Sequence, residues 1–255
     1  MKNIAVYICA VVLAMGCLLT SCQEAVPAVS DGFGRDPGNT YADEQTTDSP
    51  PVADDGITIC VDPGHGFADA GTTSAYLGDW SEKDVTFSIA AMLKEELEAL
   101  GYHVRMLHDG VTLPRSSIDD GNNLFKPTER IDSIKNADID YYVSIHCDSY
   151  AADESVMGTR VYYANGTRFA KKSKSAAADI TKAINDLLPN AKKTRVIEKD
   201  FEDAYYVIRE APVPSSLIEV GFVTNPTDAA NMLDEAWRRT IAKGIAAGID
   251  GFFAE

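Results

Sequence analysis

Apolar and polar positions along the chain form short apolar runs cut off by turn residues, interleaved with longer stretches of helical period. Ile57-Thr-Ile-Cys-Val61 is a β-branched run that stops at Asp62-Pro-Gly. Pro63 cannot donate to a ladder, and Gly64 and Gly66 permit a sharp turn, so the run predicts a buried strand with His65 at its carboxyl end. Ser81 opens a helix on which Val85, Ile89, Met92, Leu93, Leu97 and Leu100 recur at helical spacing, and Gly101 ends it. Residues 103–107 predict a second strand, and residues 127–135 a short helix with Pro127 in its first turn. Residues 141–146 predict a third strand, which also ends in a histidine, His146. Residues 158–163, 204–209 and 215–221 predict three more, with a helix over about 168–188 and a loop from there to Ala204. Asn225 as N-cap and Pro226 at the first helical position start another helix, and a last one covers about 235–253. This alternation predicts a single α/β domain: an open, twisted, mostly parallel sheet of about six strands with helices on both faces.

The ends of the chain change the picture. Met1-Lys2-Asn3 and the apolar run over residues 4–19 have the n-region and h-region of a signal peptide. Leu19-Thr-Ser-Cys22 resembles the lipobox of bacterial lipoproteins, which makes residues 1–21 a signal peptide and Cys22 a diacylated first residue. The competing readings are an uncleaved membrane anchor and ordinary cleavage near Ser21. Cys17 is a poorer lipidation candidate, because Met15 puts a bulky residue near the cut. Each reading exports the domain, and the lipid anchors it to a membrane, facing the periplasm or cell envelope. Residues 22–55 are rich in Pro, Ala, Ser, Thr, Gly and acids and read as a disordered, self-repelling tether, leaving residues 56–255 as the domain.

With 255 residues there is enough chain for a sizeable core, and the formal net charge of −16 argues against a nucleic-acid partner, whose phosphates require clustered Lys and Arg. Of the five cysteines, only Cys60 and Cys147 lie outside the signal region. Both fall in predicted strands and read as buried small hydrophobes. A disulfide between them requires adjacent strands. No Cys-x-x-Cys exists, which excludes a zinc ribbon.

Zinc hydrolases commonly use two His and one Glu and keep one position open. His65, Glu82 and His146 supply that set. With no His-Glu-x-x-His helix, the three must converge from separate elements, and the carboxyl ends of strands are where α/β sheets carry their chemistry. Each also has a plain reading: a turn histidine, a helix-start acid favoured by the dipole, and a satisfied histidine after a core strand. Glu219 is the sharper oddity, because Leu217, Ile218, Val220 and Phe222 make its strand look buried and a buried carboxylate needs a partner. It is either in a salt bridge, with Arg130 or Arg209, or a general base beside a metal.

Asp62-Pro-Gly-His65-Gly, Glu82-Lys-Asp84, Ser144-Ile-His146 and Ile218-Glu219-Val-Gly221-Phe with Asn225-Pro226 together resemble, in order and spacing, the zinc-dependent N-acetylmuramoyl-L-alanine amidases. The resemblance extends to Thr128-Glu-Arg130 and Tyr206-Val-Ile-Arg209. It implies Zn2+ held by His65, Glu82 and His146, Glu219 as catalytic acid and base, and peptidoglycan cut between the lactyl group of muramic acid and L-alanine. The departures are Phe67-Ala68 after the histidine turn, Cys147 where Ala is usual, and a bulky loop over residues 109–125. One helix and a loop between Tyr163 and Ala204 leave little room for the autoinhibitory helix of some division-associated members, so activity without an activator protein is expected. Arg130 and Arg209 are candidates for a stem-peptide carboxylate, each with an ion-pair alternative. Asp62 reads as a turn or supporting residue, and His103 and His108 as surface histidines. Trp80, Tyr150, Tyr162 and Tyr163 read equally as groove or core. The rival functions are a wall-binding lipoprotein that does not cut, and a zinc peptidase or deacetylase acting on another amide.

Overall fold

A computed structural model describes residues 56–112 and 123–254. The signal peptide, Cys22, the tether and most of the 109–125 loop lie outside these residues. In chain order the elements are β1 (Thr58–Pro63), α1 (Glu82–Ala99), β2 (His103–Met106), α2 (Pro127–Ile134), β3 (Tyr141–Asp148), β4 (Arg160–Ala164), α3 (Ala170–Leu187), β5 (Arg195–Lys199), α4 (Tyr206–Arg209), β6 (Ser215–Phe222), α5 (Pro226–Leu233) and α6 (Glu235–Ala254). The six strands form one sheet in the order β2-β1-β3-β6-β4-β5. All neighbouring pairs are parallel except β4 with β6. The expected mostly parallel α/β sheet is therefore present, with its carboxyl-end rim formed by β1, β3 and β6.

Two corrections concern the stretch between α3 and β6. Residues 204–209, expected as a strand, instead form the short helix α4 after a 3-10 turn at Phe201–Asp203. Their apolar side chains Val207 and Ile208 pack onto the sheet face rather than extending the sheet edge. The edge is taken by Arg195–Lys199, expected as loop, which pairs parallel with β4 from Arg160↔Arg195 to Ala164↔Lys199. Its charged Arg195, Glu198 and Lys199 hide the strand from an apolar-run criterion, as edge strands commonly do.

Strand residues alternate between two faces. Ile59, Val61, Tyr141, Val143, Ile145, Val161, Ile218 and Val220 point to one, where α1, α3, α5 and α6 close over them with Ile89, Leu93, Ile180, Met232, Ile241 and Ile245. Cys60, Tyr142, Tyr162 and Leu217 point to the other, covered among the described residues by α2 and α4 through Ile131, Ile134, Val207 and Ile208. The thick side is tight: a Cβ on Gly248 of α6 would stand 2.3 Å from the Ile180 Cα of α3. Cys60 and Cys147 lie on adjacent strands but belong to opposite faces and are both free and buried. Burial pushes the Cys60 thiol up to about 12, with Asp62 adding to the effect. Among the described residues no helix is long and apolar enough to cross a membrane.

Candidate metal centre

β1 runs into a turn held in register by Gly64, whose N–H donates to the Ile145 carbonyl at 2.8 Å. His65 then adopts φ 61°, followed by Gly66 at 113° and Phe67 at 56°. Positive φ is costly for residues with a Cβ, and the surroundings must over-determine it. Arg130 of α2 does this. Its buried guanidinium donates to Asp62, to the Pro63 carbonyl at 2.9 Å and to the His65 carbonyl, while Nε donates to the Phe125 carbonyl at 3.1 Å. Asp62, fully buried, also accepts from the Tyr142 and Ser144 hydroxyls. From the other side, the Thr86 hydroxyl of α1 donates to the Gly64 carbonyl at 2.8 Å.

The turn aims the His65 ring between two carboxylates. Nδ1 meets Asp69 Oδ2 at 2.8 Å and Nε2 meets Glu82 Oε2 at 3.1 Å. Glu82, the first residue of α1, reaches over the strand ends, where its other oxygen meets His146 Nδ1 at 3.0 Å. Two backbone donors fix that carboxylate: Thr72 N–H to Oε2 at 2.8 Å and Cys147 N–H to Oε1 at 2.9 Å. The second comes from the shift in β3–β6 register between His146 and Asp148, an irregularity of the kind that re-aims groups near functional sites. Gly71 makes the approach feasible, since a Cβ there would sit 2.6 Å from Glu82 Oε2.

One ligand atom from each of His65, Glu82 and His146 lies within 4.8 Å of the others. Burial pushes the Glu82 carboxyl up, but hydrogen bonds and charge from His146 and His65 outweigh it and hold the group well below the usual carboxylate range. For His65, burial favours the neutral ring, yet Glu82 and Asp69 together raise its pKa above the ordinary 6.5.

Glu219 stands directly beside His146 in the β3–β6 register. It is 5% exposed, and its Oε2 has no hydrogen-bond partner among the described residues. Burial, then the charges of Asp148 and Glu82, push its carboxyl well above the usual range, against the opposing pull of Arg160 and a hydrogen bond from Tyr205. Glu219, His65 and His146 line one cavity of about 160 Å³ together with Asp69, Leu217 and Tyr205. A larger open groove of about 630 Å³, behind the His65 turn and lined by Trp80, Phe87 and His108, contains none of the four residues.

The salt bridges offered for Glu219 are not made. Arg130 is bound to Asp62, and Arg209 pairs with Glu210 at 2.9 Å beside Phe201 and Tyr206, in a separate groove. Arg130 borders the cavity, but its donors serve the His65 turn. His108 is not a surface histidine. It is buried, its Nε2 meets the Pro63 carbonyl at 2.9 Å, and its Nδ1 accepts the Gly110 N–H at 3.1 Å. His103 is exposed as expected. Tyr162 and Tyr163 belong to the core, and Trp80 stacks on the Arg238 guanidinium at 4.7 Å. Sequence reading passed over Asp69, Tyr205 and Arg160; Asp69 alone left a trace, four residues after His65 in a glycine-bearing loop.

The architecture is thus a parallel α/β sheet that gathers two imidazoles and two buried carboxyls of opposite tendency at the carboxyl ends of its central strands. Residues 59–251 match the N-acetylmuramoyl-L-alanine amidase family, and the chain belongs to it. It is 30% identical over 212 residues to the "Probable cell wall amidase LytH" of Staphylococcus epidermidis, a match covering 83% of this chain and 62% of that protein. The chain therefore spans about three fifths of the length of the curated relatives it matches. Among solved structures, an N-acetylmuramoyl-L-alanine amidase from Clostridium difficile 630 superposes with a TM-score of 0.67 at 25% identity, over 78% of this chain and 98% of that one. The CwlD amidase of Clostridioides difficile, solved in complex with the GerS lipoprotein, superposes with a TM-score of 0.65 at 25% identity over the same shares.

Proposed function

We propose that the protein is a zinc-dependent cell-wall amidase that hydrolyses the amide between the muramic acid lactyl group and L-alanine in peptidoglycan. The observation that carries this reading is the gathering of His65, Glu82 and His146 within 4.8 Å with a buried Glu219 beside them whose Oε2 has no hydrogen-bond partner among the described residues. Family membership supports the bond that is cut, and likeness to a cell wall amidase supports a location in the cell envelope.

The donor set fits a metal. With Nδ1–H of His65 given to Asp69, the Nε2 lone pair faces Glu82 Oε2 at 3.1 Å. Two acceptors at that separation call for a cation, either a proton or a metal ion. Glu82 accepts one backbone N–H on each oxygen, which favours its charged form and leaves lone pairs for an ion, and two imidazole nitrogens with one carboxylate suit zinc. Asp69 fixes the ring orientation of His65 in the way a carboxylate behind a ligating histidine does. A bound zinc supplies a Lewis acid that polarises the scissile carbonyl and acidifies water toward neutrality.

The residues of the chain do the rest. His65, Glu82 and His146 would hold the ion, and Glu219 takes a proton from the attacking water on its carboxylate. As the C–N bond breaks, Glu219 returns that proton to the departing nitrogen of L-alanine. A raised carboxyl pKa suits a group that must both accept and release a proton near neutrality. The lactyl carboxylate and a free L-alanine amino group are the products. Cys22 carries the lipid that tethers the domain to the membrane, and the domain works without an activator protein. Arg209, set in its own groove, is not assigned to the reacting end of the substrate.

The decisive experiment digests purified peptidoglycan with the purified chain. Free L-alanine amino termini on intact glycan strands, abolished by a chelator and restored by zinc, are expected. New termini elsewhere in the stem, or binding without release of any amine, would replace this reading with a peptidase or a wall-binding protein. Sacculi cut only after a partner is added would remove the activator-free part alone.

A further inference from the structure

The three central strands place His146 of β3, Glu219 of β6 and Arg160 of β4 in one row across the sheet, since Glu219 is the register partner of both others. Alternation puts the row on the thinly covered face, the one shared by Leu217 and Tyr162. An imidazole, a carboxyl and a guanidinium thus stand side by side. Directly opposed residues on antiparallel strands have Cβ atoms only about 4.5–5.5 Å apart, within easy reach for side chains of this length.

Arg160 is held on two sides. Its Nη1 donates to Asp148 Oδ2 at 3.1 Å and lies 3.5 Å from the Tyr162 hydroxyl, and its guanidinium stacks 4.4 Å above the Phe222 ring. Nε is buried and has no hydrogen-bond partner among the described residues, and Glu219 Oε2 is in the same state. One is a donor and the other an acceptor, and they belong to opposed residues. Because Nε is closed to solvent, only a neighbour inside the protein can meet it, and a substrate group cannot. Arg160 is also absent from the lining of the cavity that His146 and Glu219 share. An isolated buried donor and an isolated buried acceptor each carry a desolvation cost that their pairing removes.

We propose that Arg160 is the positioning residue of the site: the two groups are unpaired in this structure, and a side-chain adjustment between these register partners brings Nε–H onto Glu219 Oε2 and aims the remaining carboxylate oxygen at the cavity. Asp148 and Phe222 keep the guanidinium in plane for this contact. The proposal rests on the reading of Glu219 as the proton-transfer group, and it concerns the aim of that group, not metal binding.

The test compares wild type with Arg160→Leu, Arg160→Lys, Glu219→Gln and the Arg160→Leu/Glu219→Gln double variant of the full chain, zinc-loaded, on a soluble muropeptide. Arg160→Leu is expected to lower kcat by about 10- to 100-fold, less than the roughly 100- to 10,000-fold attached to the acid–base group itself, because the carboxyl stays in place and loses only its aim. KM and bound zinc should stay within about twofold, and Arg160→Lys should recover part of kcat because a Lys cation can still reach the carboxylate. In the Glu219→Gln background, removing Arg160 should cost almost nothing further, which is the signature of two residues acting as one unit. Unchanged kcat in Arg160→Leu, a KM rise with kcat intact, or additive losses in the double variant would each overturn the proposal. If Arg160→Leu does not fold, Arg160→Lys and Arg160→Gln are measured in the same scheme and read by the same criteria. An active Glu219→Gln enzyme would instead strike the base assignment beneath it, a result the single Arg160 variants cannot mimic.

Discussion

The two faces of the sheet are built on different rules. The thick face is filled by aliphatic side chains of α1, α3, α5 and α6, and it is dense enough that a single added methyl on Gly248 would meet backbone atoms. The thin face buries Asp62, Arg130, Ser144 and Glu219 under two short helices. On the first, stability comes from apolar area removed from water. On the second, charged groups are kept where water cannot screen them, which costs stability and concentrates electrostatic effects. Glu82 bridges the two: it starts a helix of the thick side and ends in the chemistry of the rim. The lesson is a division of labour, in which one face secures the fold and the other carries groups the fold would be easier to build without.

Variants on the two faces should therefore fail in different ways. The largest effect is expected at the rim: Glu219→Gln should cut amide hydrolysis by about 100- to 10,000-fold while retaining stoichiometric zinc. His65→Ala should lose metal and turnover together, as metal analysis beside the rate assay would read. Loss of zinc in Glu219→Gln, or full metal occupancy in His65→Ala, would break the separation of roles. Next comes the clamp behind the turn. Arg130→Ala strands a fully buried Asp62 and should cost about 3–5 kcal/mol in denaturant unfolding, the range for breaking a buried pair. A cost under about 1 kcal/mol would mean that the thin face relaxes easily.

On the thick face, Gly248→Ala should lose about 1–3 kcal/mol through overpacking against Ile180 and leave kcat per folded molecule untouched. A changed kcat there would show that the two faces are not independent. The smallest effect has the opposite sign. Burial raises the Glu219 carboxyl above its ordinary 4.5, so the folded chain holds this proton at pH values where the unfolded chain has released it. The associated stability is complete below about 4.5 and drains away as pH rises through the folded pKa. In metal-stripped protein, Glu219→Gln should therefore raise Tm by a few degrees at about pH 8 and hardly at all at about pH 4. A Tm lowered at alkaline pH would mean that Arg160 and Tyr205 stabilise the Glu219 carboxylate by more than its burial costs.

Much of this was legible from residue order. The β-branched run halted by Asp62-Pro-Gly located β1 and its histidine, the helical stripe from Val85 to Leu97 located α1, and the apolar surroundings of Glu219 marked it as anomalous before any contact was known. The β5 edge strand was missed because charged residues dominate an element with one partner strand. The segment at Tyr206 was misassigned because the short apolar run from Ala204 to Ile208 carries no period that separates strand from helix. His108 looked exposed because it follows a strand in a polar stretch, and only the fold supplies its acceptor, the Pro63 carbonyl 45 positions earlier.

What the amino-acid order determined by itself was the set of elements with strong periodicity and the chemical types placed at their ends. Periodicity and turn chemistry are local properties, fixed within a few residues of each other. What only the tertiary structure decided was pairing: which carboxyl would be held below the ordinary range and which pushed above it, that Arg130 would serve Asp62 and not Glu219, and that Arg160 would stand across from Glu219. Those outcomes depend on strand order and register, which join residues up to some 80 positions apart, and a carboxyl's state follows from the charges and N–H groups that such pairing brings to it.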